Sequence, residues 1–206
     1  MNDLFERLRT RVLAAHRQLD HSPAVRRIVA PSVTLDDLTW LLHIQCAFYL
    51  GLEARLQQHG LAEHPFAPLY QPRATLLAAD LQRLAHPPPP AATIDDFPDS
   101  PQGLLGVIYA VEGSALGGRL IDRRLHERLG SALAGQVAFF SHYAHNVDAH
   151  WKAVQDALRS ALLDTHDVEQ AALGAEAVFH TLHRLATRDL PAPAPPDKPA
   201  STEIPR

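Results

Sequence analysis

Cysteine is almost absent from this chain of 206 residues, in which Cys46 is the single thiol. One cysteine cannot form an internal disulfide, and it cannot supply the several thiolates that a structural zinc site or an iron–sulfur cluster needs. We therefore interpret Cys46 as a small core residue and look for functional residues among other side chains.

Excess positive charge and long apolar runs are also missing. The formal net charge of −4 and the sequence pI of about 6.3 disfavour a nucleic-acid-binding protein. No stretch reaches the ~20 consecutive apolar residues of a membrane-spanning helix, and the N-terminal MNDLFERLRTR lacks the apolar segment of a secretory signal. The sequence therefore predicts a cytoplasmic protein that binds neither nucleic acid nor a membrane.

Strand-like alternation is absent, whereas helical spacing recurs along the chain. Apolar residues in the first segment share one helix face, namely Leu4, Leu8, Val12, Ala15 and Leu19. Spacing and end signals predict further helices over 34–60, 71–84, 100–129, 131–145, 147–163 and 168–187. The predicted class is all-α, with a single helical domain over 1–188.

Proline separates parts of this pattern. The segment HPPPPAATIDDFPDSP, residues 86–101, cannot continue a helix, so we expect an extended surface connection there. Ser100 then caps the next helix, with Pro101 at its first position. Residues 189–206 are rich in proline and alanine and poor in large apolar groups, which predicts a disordered tail.

The stretch YAVEGSALGGRLID, residues 109–122, contains Gly113, Gly117 and Gly118 inside a predicted helix. Each glycine in a helix interior costs roughly 1 kcal/mol relative to alanine. A missing Cβ permits a kink, close packing of another helix, or close approach of a flat ligand to the backbone. The sequence alone leaves these three explanations open.

Thirteen histidines suggest metal binding, but most of them lack ligand spacing. The pairs His142 with His145 and His180 with His183 share helix faces without a matching acidic residue, which is typical of ordinary histidines. His16 differs because it lies on the apolar stripe of the first helix. It is either a core histidine bonded to a carbonyl or a neutral imidazole that ligates iron, as in a haem held between two helices.

Two motifs resemble the biliverdin-producing haem oxygenases. LRTRVLAAHRQLD, residues 8–20, is similar to their proximal helix, with His16 at the iron-ligand position. YAVEGSALGGRLI is similar to their distal helix, in the GSxLGG form of bacterial members, especially those that serve bacteriophytochromes. YQPRATLLAADLQRL, residues 70–84, and HWKAVQDAL, residues 150–158, add weaker similarity.

The chain departs from the family pattern at three positions. Val12 stands where a threonine is common, and His150 replaces an arginine that usually precedes the tryptophan, which leaves a propionate contact there open. Ser114 stands where animal members have an aspartate, and bacterial members of the GSxLGG type share this serine.

The resemblance implies cleavage of haem b, as substrate and cofactor, by O2 and an external reductant to biliverdin, carbon monoxide and ferrous iron. It assigns the iron to His16 and the catalytic distal side to Gly113, Ser114, Gly117 and Gly118. The resemblance also implies that Arg9, Tyr109 and Lys152 contact the haem propionates. Each of them could instead be a solvated surface residue.

Electrons must come from outside, because no Gly-x-Gly-x-x-Gly fingerprint or flavin motif is present. The implied donor is a ferredoxin, a flavodoxin or a reductase, and biliverdin could pass to a bacteriophytochrome. Arg119, Arg123 and Arg124 form a basic cluster that either receives an acidic donor or is a solvated helix face. The alternatives are a haem-binding protein without turnover and a related bundle that binds another ligand or a partner helix.

Overall fold

The structure is a computed structural model that describes residues 3–133, 137–142 and 146–188. These residues form eight α-helices joined by loops and short 3₁₀ turns, and no strand occurs among them. The predicted all-α class is confirmed. The helices are α1 Asp3–Asp20, α2 Pro23–Val29, α3 Leu35–Gln58, α4 Ala74–Arg83, α5 Pro101–Leu129, α6 Phe139–His142, α7 Val147–Ala161 and α8 Thr165–Thr187.

Most predicted helix ends agree with the structure because the capping residues act as expected. The Thr34 hydroxyl accepts a hydrogen bond from the backbone N–H of Asp37 and the Asp37 carboxylate accepts one from that of Thr34, which is a capping box at the start of α3. The Ser100 hydroxyl accepts from the backbone N–H of Gly103 at 3.0 Å, with Pro101 in the first turn of α5.

Two parts of the helix prediction were wrong. The short helix α2 was missed. Its seven residues bury only Ala24 and Ile28, and a single pair of apolar residues four positions apart is too short a pattern to establish a helical period. The helix predicted over 131–145 is replaced, within the described residues, by a 3₁₀ turn and α6. Gly130 ends α5 with φ of 48°, and the backbone N–H groups of residues 138 and 139 bond the Asp80 carboxylate, which starts α6.

The centre of the fold is the packing of α5 on α8. A Cβ at Gly106 would lie 1.9 Å from the carbonyl oxygen of Ala171, and a Cβ at Gly174 would lie 1.9 Å from that of Gly103. The two backbones therefore pack against each other directly, with α1 lying along α8 beside them. Glycines in the first half of α5 thus serve helix packing.

The proline-rich connection 86–100 contains no helix, as predicted, but it is anchored in the core. The backbone N–H of Ala92 donates to the carbonyl of Ala47 at 2.8 Å, and Gly51 leaves room for the Ala92 carbonyl. Ile94 and Phe97 are buried. The connection is therefore packed against α3 and is not a surface loop without core contacts.

One helix among the described residues, α5, is long and apolar enough to cross a membrane by length and composition. The core helix of a soluble protein passes the same test. In this fold the first half of α5 is buried against α8. The tail predicted at 189–206 lies outside the described residues.

Candidate functional site

A cavity of about 550 Å³ opens between α1, α5 and α8. Its walls are mostly apolar and include Phe179 and Phe140. The volume lies within the roughly 300–1,000 Å³ typical of pockets for small molecules and cofactors. Six of the eight residues predicted for the site line this cavity, namely His16, Tyr109, Gly113, Ser114, Gly117 and Gly118.

His16 stands on α1 with its ring half exposed in the cavity. Its Nδ1 lies 2.9 Å from Oδ2 of Asp20, one turn later on the same helix, and its ring meets that of Phe179 edge-on at 5.3 Å. The carboxylate oxygen faces Nδ1, so Nε2 is the ring nitrogen left available to a metal. Asp20 was not predicted from the sequence, although it follows His16 by four residues and so lies one helical turn away on the same face.

The environment of His16 differs in part from the expectation. Val12 and Ala15 on the same helix are buried, but Leu13, which flanks His16, is 40% exposed. The imidazole therefore borders solvent and Asp20 on one side and Phe179 on the other. It is not enclosed by an apolar stripe.

Helix α5 passes through all three distal glycines without interruption, so they do not end the helix. A Cβ at Gly117 would meet no atom within 4 Å, and one at Gly118 would lie 3.9 Å from Phe140. A Cβ at Gly113 would lie 3.1 Å from the Trp151 ring. Gly117 and Gly118 therefore leave open space beside the backbone, whereas Gly113 makes room for an indole.

Polar groups reach the cavity beside these glycines. The Ser114 hydroxyl donates to the carbonyl of Val111 at 2.6 Å, and Tyr49 lines the same cavity. Burial raises the pKa of Tyr49, while the Arg73 charge and Ser114 act in the opposite direction. Tyr49 thus stays a neutral hydroxyl, and it was not predicted from the sequence because it lies on a distant helix.

A buried ion pair borders the cavity, which Arg73 lines. The guanidinium of Arg73 donates to both carboxylate oxygens of Glu112 at 2.8 Å, and both side chains are almost fully buried. His150 Nε2 lies 3.1 Å from Oε2 of Glu112. Arg73 and Glu112 stand in two of the four quoted motifs, yet helical periodicity does not reveal that charged residues 39 positions apart are buried together.

Tyr109 lies at the edge of the cavity within an aromatic group. Its ring centroid is 5.4 Å from that of Trp151 and 6.2 Å from that of Phe5. Burial raises the pKa of its hydroxyl, and the charge of Arg9 acts to lower it.

Arg9 and Lys152 do not line the cavity. Arg9 Nη1 lies 3.0 Å from the carboxylate of Glu6, and Lys152 Nζ lies 2.5 Å from that of Asp156. Both cationic side chains are more than half exposed. The structure thus leaves both Arg9 and Lys152 in surface ion pairs.

The other candidate ligands do not assemble. Within residues 3–133, 137–142 and 146–188, no group of three histidine, cysteine or acidic side chains is placed to hold a metal ion. His145 lies outside these ranges. Cys46 is fully buried, as predicted, and burial raises the pKa of its thiol to about 11.

A family model described as heme oxygenase matches residues 2–188. The chain belongs to the heme oxygenase family. It is also 34% identical, over 119 residues, to a heme oxygenase of Xanthomonas campestris pv. campestris (strain 8004), which covers 55% of this chain and 67% of the relative. The resemblance read from the motifs is confirmed, and this haem oxygenase is an enzyme that forms biliverdin with haem as substrate and cofactor.

The residues in the cavity fit that group. A haem site of this kind needs an axial nitrogen ligand, apolar walls and space for the flat macrocycle beside one helix. His16 offers Nε2, the walls are mostly apolar, and Gly117 leaves the distal backbone bare.

Proposed function

We propose that this haem oxygenase cleaves haem in the cavity between α1 and α5, using O2 and electrons from an external donor, to biliverdin, carbon monoxide and ferrous iron. One observation carries the assignment of the site. His16, with its Nδ1 2.9 Å from a carboxylate oxygen, and Gly117, where an added Cβ would meet no atom within 4 Å, line the same cavity from different helices.

His16 is the iron ligand in this proposal. The carboxylate of Asp20 faces Nδ1 at 2.9 Å, where a carboxylate orients a ligating imidazole and makes its other nitrogen more basic. When bound, haem supplies the iron at which O2 is activated and the carbon skeleton that is oxidised. The protein contributes the ring, its orientation and a mostly apolar cavity.

The distal side is formed by Gly113, Ser114, Gly117 and Gly118. Bare backbone at Gly117 and Gly118 would let α5 approach a bound haem. Ser114 and Tyr49 line this space, and their hydroxyls would hold ordered water that carries protons.

Arg9, Tyr109 and Lys152 are the proposed propionate contacts. Tyr109 lines the cavity, and the charge of Arg9 acts to lower the pKa of its hydroxyl. Arg9 and Lys152 are paired with Glu6 and Asp156 at the surface, where water screens such pairs strongly. Exchange of these partners for a propionate therefore costs little.

An external ferredoxin, flavodoxin or reductase supplies the electrons in this scheme. Two arginines of the basic cluster are engaged within the chain, since Arg119 pairs with Asp148 and Arg124 donates to the carbonyl of Val29. These contacts favour a solvated helix face over a docking site at this cluster. The GSxLGG form of the distal helix supports transfer of biliverdin to a bacteriophytochrome, and a cytoplasmic location fits that role.

A spectrum and a product analysis test the proposal. The purified chain is loaded with haem and incubated with ascorbate in air, and biliverdin and released iron are measured together. Biliverdin and ferrous iron in equal amounts support turnover. A stable Soret band without product would instead identify a haem-binding protein without turnover, and no Soret band would exclude haem altogether.

A further inference from the structure

The exposure of helix α5 changes at Glu112. Residues 104–112 are buried except Tyr109, whereas 113–124 are exposed or half exposed, and the cavity lining includes 113–118. Glu112 is thus the last fully buried residue before the glycine segment, and its carboxylate has no exposed surface. The groups that hold Glu112 therefore act where the buried half of α5 meets the glycine segment.

Arg73 holds this carboxylate from one side. Its Nη1 and Nη2 donate to Oε1 and Oε2 of Glu112, and the backbone N–H of Gln71 donates to Oε1 at 3.0 Å. The backbone N–H of Arg73 itself donates to Glu53 at 2.6 Å, which ties the start of α4 to α3. A buried ion pair of this kind is stable only when the remaining hydrogen-bonding positions are also occupied.

His150 occupies one of those positions from α7. Its Nε2 lies 3.1 Å from Oε2 of Glu112, and since a carboxylate oxygen accepts, Nε2 donates. The next residue, Trp151, contacts Gly113, so two consecutive residues of α7 touch two consecutive residues of α5. The His150 side chain is 19% exposed, whereas those of Arg73 and Glu112 are 2% and 0% exposed.

We propose that His150 is a positioning residue for haem turnover. By donating to Glu112 beside Arg73, it holds the end of the buried half of α5 and so sets how Gly113 and Ser114 lie over the cavity. This inference rests on the proposed function of the cavity. Its structural half, that His150 holds residues 113–118 in position, concerns the protein without haem. The competing explanation is an ion pair that only stabilises the whole fold.

Three variants test the structural half in the haem-free protein. His150→Leu keeps the approximate volume and removes the donor, His150→Gln keeps a donor, and His166→Leu is a control on an exposed histidine of α8. Amide hydrogen exchange is compared between residues 104–110 and 113–118. His150→Leu should raise exchange about tenfold in 113–118 with little change in 104–110, and the other two variants should match the wild type.

Equal acceleration in both segments would overturn the proposal in favour of general stabilisation, and so would unchanged exchange in 113–118. If His150→Leu does not fold, His150→Asn replaces it, because its shorter amide does not reach Glu112. His150→Asn should then raise exchange selectively in 113–118, and the same two contrary results would overturn the proposal.

The haem-loaded protein gives the second readout. His150→Leu should lower biliverdin formed per haem bound, or change the biliverdin isomer, while haem affinity stays near the wild-type value, and His150→Gln should restore the wild-type result. Parallel loss of affinity and turnover without rescue would contradict positioning. If the wild type forms no biliverdin, the proposed function fails, and the exchange experiment still decides whether His150 positions the distal segment.

Discussion

Nδ1 of His16 lies 2.9 Å from Oδ2 of Asp20, one turn later on α1. This contact occupies the Nδ1 side of the imidazole and leaves Nε2 available to a metal. It also makes Asp20 the residue on which the orientation of the proposed iron ligand depends.

Replacement of Asp20 by alanine should weaken haem binding. Loss of a carboxylate behind a ligating histidine typically costs roughly 10- to 100-fold in metal affinity, and the half-exposed position of this pair favours the lower end. Haem titration followed at the Soret band measures the effect.

The matched control for Asp20→Ala is Asp122→Ala. The Asp122 carboxylate lies 3.5 Å from Nδ1 of His126, four residues later on α5, and neither of these residues lines the cavity. Equal haem affinities of the wild type and Asp20→Ala would mean that the ring orientation does not depend on this carboxylate.

Gly117 and Gly113 should respond differently to alanine. A Cβ at Gly117 meets open space, so Gly117→Ala should stabilise the haem-free protein by about 1 kcal/mol through helix propensity. A Cβ at Gly113 would press on Trp151 at 3.1 Å, so Gly113→Ala should gain less or lose stability. Urea unfolding of the two variants makes the comparison, and equal gains at both positions would show that the indole moves aside freely.

A leucine at Gly117 should separate haem binding from turnover. The side chain would fill the space beside the distal backbone, so biliverdin formed per haem bound should fall steeply while His16 still binds iron. Gly117→Ala is the graded intermediate in the same assay. Biliverdin production by Gly117→Leu at the wild-type rate would mean that this glycine has no role in shaping the oxygen site.

Tyr49→Phe should lower turnover more than haem affinity. The variant removes the hydroxyl beside Ser114 and leaves the ring that packs under Arg73. If this hydroxyl holds water for proton delivery, we expect a loss of turnover of about 100-fold or more. An unchanged rate with normal haem binding would assign proton delivery to other groups.

Arg9→Glu should weaken haem binding by roughly fivefold, or change the biliverdin isomer, because an exposed contact with a carboxylate contributes little. The control is Arg123→Glu, which reverses another exposed arginine paired with a glutamate, outside the cavity lining. Equal affinity and the same isomer in both variants would remove Arg9 from the set of propionate contacts.

The fold class and the order of the long helices could be predicted because caps and apolar spacing are local signals. Thr34 and Ser100 mark the starts of α3 and α5. The helix predicted over 131–145 failed because a tertiary contact, from the Asp80 carboxylate to the backbone of α6, decides the local structure there.

The site could be predicted only in part for the same reason. The histidine and the glycines stand in recognisable motifs, and six of the predicted residues line one cavity, where their roles remain predictions. Glu112, Arg73 and Tyr49 come from helices far apart in sequence, and their burial depends on how these helices pack. The spacing of four residues between Lys152 and Asp156 predicts their pairing at the surface. The spacing does not show whether Lys152 pairs with Asp156 or with a haem propionate.

The most direct test of the account is the spectrum and product of the haem complex of His16→Ala in air with ascorbate, with and without added imidazole. We expect the variant to fold, because the ring is half exposed, and to lose the wild-type Soret spectrum and biliverdin formation. Imidazole should partly restore the spectrum of a nitrogen-ligated iron. A variant with the wild-type spectrum and rate would show that His16 is not the ligand and that the cavity between α1 and α5 is not used as proposed.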